Sequence, residues 1–343
     1  MDDGALGHSS SILRYALSAE EADGLCTVAQ TALAAQGSPA KSPFYEGLEE
    51  HVHRIPESIC PVLKEFKDSS SLGALRISGV RVDPDRCGPT PASWQEAVDD
   101  RRQELEEAQL ALLASGLGEV FAWPTLQRGR MVQNLLPVES DREQQSGHGS
   151  VALDWHTEDG FHEDRCRYLA LLGVRNLDRV PTTLGTVNDL RLTGEHRSVL
   201  SERRFRIRPD LEHLRQLATF APDSEMLRRA REMHENPEPA ALLFGDAEAP
   251  FLRIDAPYTT APAGDDEAAE ALAAIVDELT RAQRDVVVGE GDVLIVDNYR
   301  AVHGRRAFEP RFDGTDRWLK RMSVAGRRLP KATAGPDARV LAI

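Results

Sequence analysis

The chain is poor in cysteine, aromatics and long apolar runs, and each shortage closes a class of answers. Its four cysteines, Cys26, Cys60, Cys87 and Cys166, are scattered through 343 residues with no C-x-x-C pair. Neither a disulfide scaffold nor a thiolate metal centre is therefore expected, and reduced thiols of a cytoplasmic protein are. No apolar stretch approaches the roughly 18 residues of a membrane span. The opening Met1-Asp2-Asp3-Gly4 is acidic where an export signal is basic. Basic residues are outnumbered, 41 Lys plus Arg against 56 Asp plus Glu, for a net charge of -15. That balance repels nucleic acid and anionic membranes and suits a cationic or zwitterionic small molecule. No Gly-rich turn joins a strand to a helix, which argues against a dinucleotide fold. With 41 % apolar and 28 % charged residues and neither repeat nor clear linker, one folded domain over 1–343 is expected.

What is present divides near residue 115. From Ser10 to about Gln36, Leu13, Leu17, Leu25, Ala29 and Leu33 recur at helical spacing. A second helix is expected over about Ile59 to Phe66, a strand around Leu75–Val80, and a long helix from about Ala92 to Ala114. The segment 1–115 thus reads as largely helical support, with Glu104, Glu106 and Glu107 as a solvated helix face. After Gly116 the pattern changes to short apolar runs between turns, at Met131–Val138, Val151–Trp155, Tyr168–Val174, Thr182–Val187, Ala240–Phe244, Phe251–Ile254, Val286–Val288, Val293–Val296 and Arg321–Val324. Such runs predict a mainly β core over 116–328. Helical insertions are expected at Asp189–Glu202, Pro209–Leu217, Glu225–Glu235 and Asp266–Gln283, with insertions and a lid at about 175–235.

The chemistry concentrates in Asp154-Trp155-His156-Thr157-Glu158-Asp159-Gly160-Phe161. On a strand, residues two apart share a side, so His156 and Glu158 can face one point. An imidazole and a carboxylate are two members of the facial triad that holds iron(II) in non-haem oxygenases. His303, in Asp297-Asn298-Tyr299-Arg300-Ala301-Val302-His303-Gly304-Arg305, is the candidate third ligand. Three protein ligands leave positions for a bidentate 2-oxo acid and for dioxygen. Of the other histidines, His8, His51, His53, His196, His213 and His234 read as surface or capping residues, while His148 and His162 lie near enough in sequence to support or cover the site. Arg317 and Arg321 follow in Asp316-Arg317-Trp318-Leu319-Lys320-Arg321. A buried arginine there is the appropriate fork for a distal carboxylate.

These segments resemble the clavaminate synthase-like branch of the iron(II)/2-oxoglutarate dioxygenases, which includes hydroxylases of free arginine, lysine and asparagine. The resemblance rests on Trp155 to His162, on Tyr168-Leu169-Ala170-Leu171-Leu172-Gly173-Val174-Arg175-Asn176, on Phe205-Arg206-Ile207-Arg208-Pro209-Asp210, on Asp297 to Arg305 and on Phe308 to Leu319. It implies a double-stranded β-helix, or jelly roll, with outer helices. It implies Fe(II) on His156, Glu158 and His303, 2-oxoglutarate held by Arg317 and by a threonine, Thr183 with Thr182 as competitor, and O2 as oxidant. The family's substrate contacts fall on Arg321 for the carboxylate and on Gln133 and Glu158 for the ammonium. Ser150 is a further candidate for the carboxylate, and Asp255 for a cationic side chain.

Asp255 is followed by Ala256 and Pro257, so a second acid two residues on is absent. Lysine, ornithine, citrulline and a cyclic relative therefore stay as open as arginine. The expected reaction, in a natural-product setting, is hydroxylation of an unactivated carbon with release of succinate and CO2. Desaturation, cyclisation or epoxidation by the same site is the alternative. The expected partner is a free amino acid, in preference to one tethered to a carrier protein or held in a peptide, acted on by a monomer or a homodimer.

Overall fold

The computed structural model describes residues 6–9, 11–326, 329 and 339–341. The acidic opening at 1–4, Ser10 and Arg328, expected as the starts of the chain and first helix and the end of the core, lie outside the described residues. Two principal sheets use twelve strands: β1 (Leu6–Ser9), β2 (Ile12–Ala16), β3 (Ala74–Ser78), β4 (Glu119–Phe121), β5 (Gln133–Leu135), β6 (Leu153–His156), β7 (Tyr168–Arg175), β8 (Pro181–Thr186), β9 (Arg284–Val287), β10 (Val293–Asp297), β11 (Ala301–Arg305) and β12 (Trp318–Ala325). The larger sheet runs β1-β2-β3-β10-β7-β12-β4, with β5 also paired to β12, and the smaller runs β9-β8-β11-β6.

Strand alternation sorts the core into layers. On β7, Leu169 and Leu171 join Leu184 of β8 and Leu319 of β12 in the cluster between the sheets. Ala170 and Leu172 face the other way, into a cluster with the helices Ala19–Gln36, Ile59–Asp68 and Glu104–Ser115. The helix Asp266–Arg281 buries Ala268, Ala271, Ile275 and Leu279 in the inter-sheet cluster's extension onto the smaller sheet. Each buried leucine contributes on the order of 1.5–3 kcal/mol. The cavity described below therefore has walls fixed by packing on both sheets. Among the described residues no helix is long and apolar enough to cross a membrane.

Several local expectations change. Ile12–Ala16 is a strand, because it pairs in parallel with β3, and the first helix begins only at Ala19, capped by Ser18 and Glu21. The expected long helix is two, Trp94–Val98 and Glu104–Ser115. Its acids are not a solvated face: Glu106 and Glu107 are fully buried. The cause lies on β12, where alternation turns Lys320 away from the cavity and into the helical layer. There its ammonium donates to Glu107 at 2.8 Å, which also accepts from Arg130 at 2.7 Å. Glu106 pairs with Arg86. The stretch 175–235 contains β8, a central strand, while its helices Gly194–Leu200, Leu211–Phe220 and Glu225–Glu235 lie outside the two principal sheets.

Candidate active site

β6 and β11 are neighbours in the smaller sheet, and His156 and His303 are directly opposed in register. Opposed residues leave a sheet on the same face, and the two ring centroids are 4.1 Å apart. Gly304 lets the strands close up, since a Cβ there would lie 2.4 Å from the Leu153 carbonyl oxygen. Glu158 lies just past the end of β6, where Asn298 clasps it. The Asn298 side chain accepts from the Glu158 N–H at 2.7 Å and donates to the Glu158 and Cys166 carbonyls at 3.0 Å.

One ligand atom from each of His156, Glu158 and His303 lies within 4.8 Å of the others. His156 Nδ1 sits 2.9 Å from the Asp154 carbonyl. That ring nitrogen therefore carries the proton, and Nε2 presents its lone pair. Burial, with the charge of His303 next, depresses His156 to about 3, so its ring is neutral. Burial disfavours the Glu158 carboxylate, but Arg321 and the two histidines outweigh it and hold the group well below the usual range. Two imidazole donors and one ionised carboxylate on one side of a point suit iron(II) and leave room for further ligands.

The same cavity is lined by Arg305 and Arg317. Both are buried, and neither forms an ion pair among the described residues. Arg317 Nη2 reaches Thr182 Oγ1 at 3.4 Å while its Nε has no partner. Burial lowers Arg305 to about 10, and burial with the charge of Arg305 lowers Arg317 to about 9. Desolvated guanidinium groups without an acid fit an anionic ligand such as the distal carboxylate of a 2-oxo diacid. The threonine choice is corrected. β8 pairs Thr182 with Arg305 and Thr183 with Gly304, so Thr182 shares the arginine face and Thr183 points to the opposite one.

Arg321 draws the expected substrate contacts together, donating to Glu158 Oε1 at 2.5 Å and to Gln133 Oε1 at 2.9 Å. Ser150 is also corrected. Its hydroxyl is turned to the Arg142 carbonyl at 3.1 Å, and it is Ser146 and His148 from the same loop that line the cavity. His162 packs edge-on against Trp123, with centroids 4.7 Å apart, instead of lining the cavity.

A second group of acids enters from elsewhere. Asp255, bridged through its backbone to His156, lines the cavity with Asp210 and Glu212. Burial, and then the charge of Asp210, pushes Asp255 well above the usual carboxyl range. Asp210 caps the helix Leu211–Phe220 by accepting from the N–H groups of Glu212 and His213 at 2.9 and 3.2 Å, and burial raises it too. Glu212 is already occupied by Arg215 and Gln216. This helix is tied to the metal strand by His213, expected at the surface but 1 % exposed. His213 meets Asp159 at 3.0 Å and Thr125 at 2.6 Å, and Asp159 also accepts from Trp123 Nε1 at 2.6 Å. Sequence reasoning missed Asp210, because an Asp before a helical run reads as a cap, which it also is. It missed Arg305 because an arginine after a ligand strand carries no separate signal.

Residues 203–323 match the family profile described as taurine catabolism dioxygenase TauD, TfdA family. The chain is 36 % identical over 306 residues to an enduracididine beta-hydroxylase of Streptomyces hygroscopicus, covering 85 % of this chain and 88 % of that protein. It is 35 % identical to an L-ornithine/L-arginine 3-hydroxylase of Catenulispora acidiphila, over 84 % of this chain and 87 % of the relative. The crystal structure of the non-haem iron oxygenase OrfP with Fe, succinate and (3S)-hydroxy-L-Arg superposes with a TM-score of 0.89 at 37 % identity, covering 96 % of this chain and 99 % of OrfP. OrfP has also been crystallised with Fe and alpha-ketoglutaric acid. With the triad, the fold and these relatives in agreement, the chain belongs to the non-haem iron, 2-oxoglutarate-dependent oxygenases of the TauD/TfdA family, in the clavaminate synthase-like branch.

Proposed function

We propose that this protein hydroxylates an unactivated carbon of a free basic L-amino acid, converting 2-oxoglutarate and O2 to succinate and CO2. One observation carries the substrate class. A single cavity holds two buried arginines, Arg305 and Arg317, that meet no acid among the described residues, and two carboxylates, Asp210 and Asp255, that no lysine or arginine pairs with among the described residues. Such a surface is complementary to a dianionic co-substrate beside a substrate with a cationic side chain. The missing acid at Pro257 had left a guanidinium with one side of its cradle, and Asp210 supplies the other from a different element. A guanidino side chain is therefore favoured over an ammonium, since two carboxylates can engage its fork. The relatives named for arginine and ornithine support the same class.

In this reading His156, Glu158 and His303 hold Fe(II), which supplies the redox chemistry by which O2 oxidises both a 2-oxo acid and a C–H bond. Arg317 and Thr182 hold the distal carboxylate of 2-oxoglutarate. Arg321 takes the α-carboxylate of the amino acid, while Gln133 and Glu158 accept from its ammonium. Asp210 and Asp255 fix the far end, so that one carbon is presented to the metal face. Leu169, Leu171 and Phe161 line the cavity with apolar surface that limits water. The two sheets around this cavity are read as the two halves of a double-stranded β-helix.

The test is anaerobic loading with Fe(II), followed by 2-oxoglutarate, air and a panel of free amino acids, with mass spectrometry of the products. The expected result is a gain of one oxygen atom on a basic amino acid, arginine foremost, with matching succinate. Oxidation of neutral or acidic amino acids in preference to basic ones would defeat the substrate assignment. Succinate formation with no free amino acid modified would move the assignment to a tethered substrate.

A further inference from the structure

We infer that Arg305 is a second cation of the pocket for the distal carboxylate of the co-substrate, acting beside Arg317. The inference rests on the functional reading above, and its geometry is independent of the metal triad. Arg305 lies two residues beyond His303 on β11, so it projects from the same face of the strand. It is 3 % exposed, and its opposed residue on β8 is Thr182, the residue that meets Arg317.

Its own contacts are those of an unsatisfied cation. Nη2 donates to the Val151 carbonyl at 2.7 Å, Nη1 reaches the Ser146 carbonyl at 3.4 Å, and Nε has no partner. The guanidinium also lies over the Phe308 ring, 5.1 Å from its centroid. Carbonyl dipoles and a ring face do not balance a full charge removed from water, and a second uncompensated arginine stands next to it. Two buried like charges persist at such a place when an anion binds within reach of both. A co-substrate carboxylate is the anion that this oxygenase family brings to the cavity. The carbonyl contacts add a consequence. Arg305 fastens the loop whose Ser146 and His148 line the cavity, so one side chain touches both the co-substrate pocket and a cavity wall.

A purely structural Arg305, one that only pins the loop, predicts something different. The two roles separate by truncating the ligand as well as the protein. Fe(II)-loaded, anaerobic protein is titrated calorimetrically with 2-oxoglutarate and with 2-oxopentanoate, which keeps both chelating groups and has a methyl in place of the distal carboxylate. In Arg305→Gln the affinity for 2-oxoglutarate is expected to fall by about 10- to 100-fold, while that for 2-oxopentanoate changes by less than about 2-fold. Arg305→Lys, which keeps the charge and loses the fork, is expected between wild type and Arg305→Gln. Equal losses for both acids, or no loss for 2-oxoglutarate, would overturn the inference and leave Arg305 as a loop anchor. A wild-type protein that does not prefer 2-oxoglutarate over 2-oxopentanoate would remove the co-substrate reading itself and this inference with it. The 2-oxopentanoate titration also serves as the folding control for each variant.

Discussion

Replacing Arg317 with methionine is expected to move two quantities in opposite directions. This guanidinium is buried, held at about 9 by burial and by Arg305, and among the described residues it is bonded only to Thr182, at 3.4 Å. Exchanging even a buried ion pair for apolar side chains of similar volume is often neutral or stabilising by about 1–4 kcal/mol, and a buried cation without an acid has no pairing energy to lose. The nearby Arg305 makes relief the expected sign, so R317M without ligands should melt higher by about 2–4 °C for each kcal/mol gained. Co-substrate binding should move the other way. Truncating one partner of a buried, hydrogen-bonded charge pair costs about 2–5 kcal/mol. At about 1.4 kcal/mol per tenfold, this is a loss of roughly 30-fold to several-thousand-fold in affinity. Thermal unfolding followed by tryptophan fluorescence, with anaerobic Fe(II) and with or without 2-oxoglutarate, reads both effects. Wild type should gain stability from the ligand and R317M should not. A ligand-free R317M less stable than wild type by more than about 1 kcal/mol, with its 2-oxoglutarate shift intact, would refute the reasoning.

The acidic wall makes a separate prediction: D255N and D210N should each lower kcat/KM for the basic amino acid by about 10- to 100-fold, the loss of one charge-assisted contact, while 2-oxoglutarate affinity measured calorimetrically stays within about 2-fold. In the helical layer, E107Q should destabilise by about 3–5 kcal/mol in urea titrations, because it strands buried Lys320 and Arg130 together, and K320M by much less, because Glu107 keeps Arg130. His213 carries a pH signature. Burial acts to lower it, but Asp210 and Asp159 outweigh burial and raise it. Its contribution to stability is then complete below about pH 6.5 and is lost as pH rises through the raised folded value. The gap in urea stability between wild type and H213Q should narrow over that window, and a gap that widens with pH would contradict the sign.

The metal set was legible because His156 and Glu158 stand two apart in a recognisable motif and His303 sits in another. Register was not. Whether Thr182 or Thr183 meets Arg317 depends on how β8 pairs with β11, a partner more than 100 residues away in the chain, and a one-residue slip reverses the answer. The same kind of non-local cause turned Ile12–Ala16 into a strand, through its pairing with β3. It also buried Glu107, whose partner Lys320 is set by alternation on β12. Ser146 lines the cavity and Ser150 does not, and nothing in a loop sequence fixes which hydroxyl faces inward. Asp210 carried a second role hidden under an ordinary helix cap.

The assigned activity depends on His156, Glu158 and His303 holding one metal ion. Anaerobic equilibrium dialysis against Fe(II), with metal counted per chain, tests it most directly. The expected result is one ion per wild-type chain and, in E158A and in H303A, binding weakened at least about tenfold by the lost ligand. Wild-type protein that retains no iron, or variants that retain it as tightly as wild type, would contradict the account.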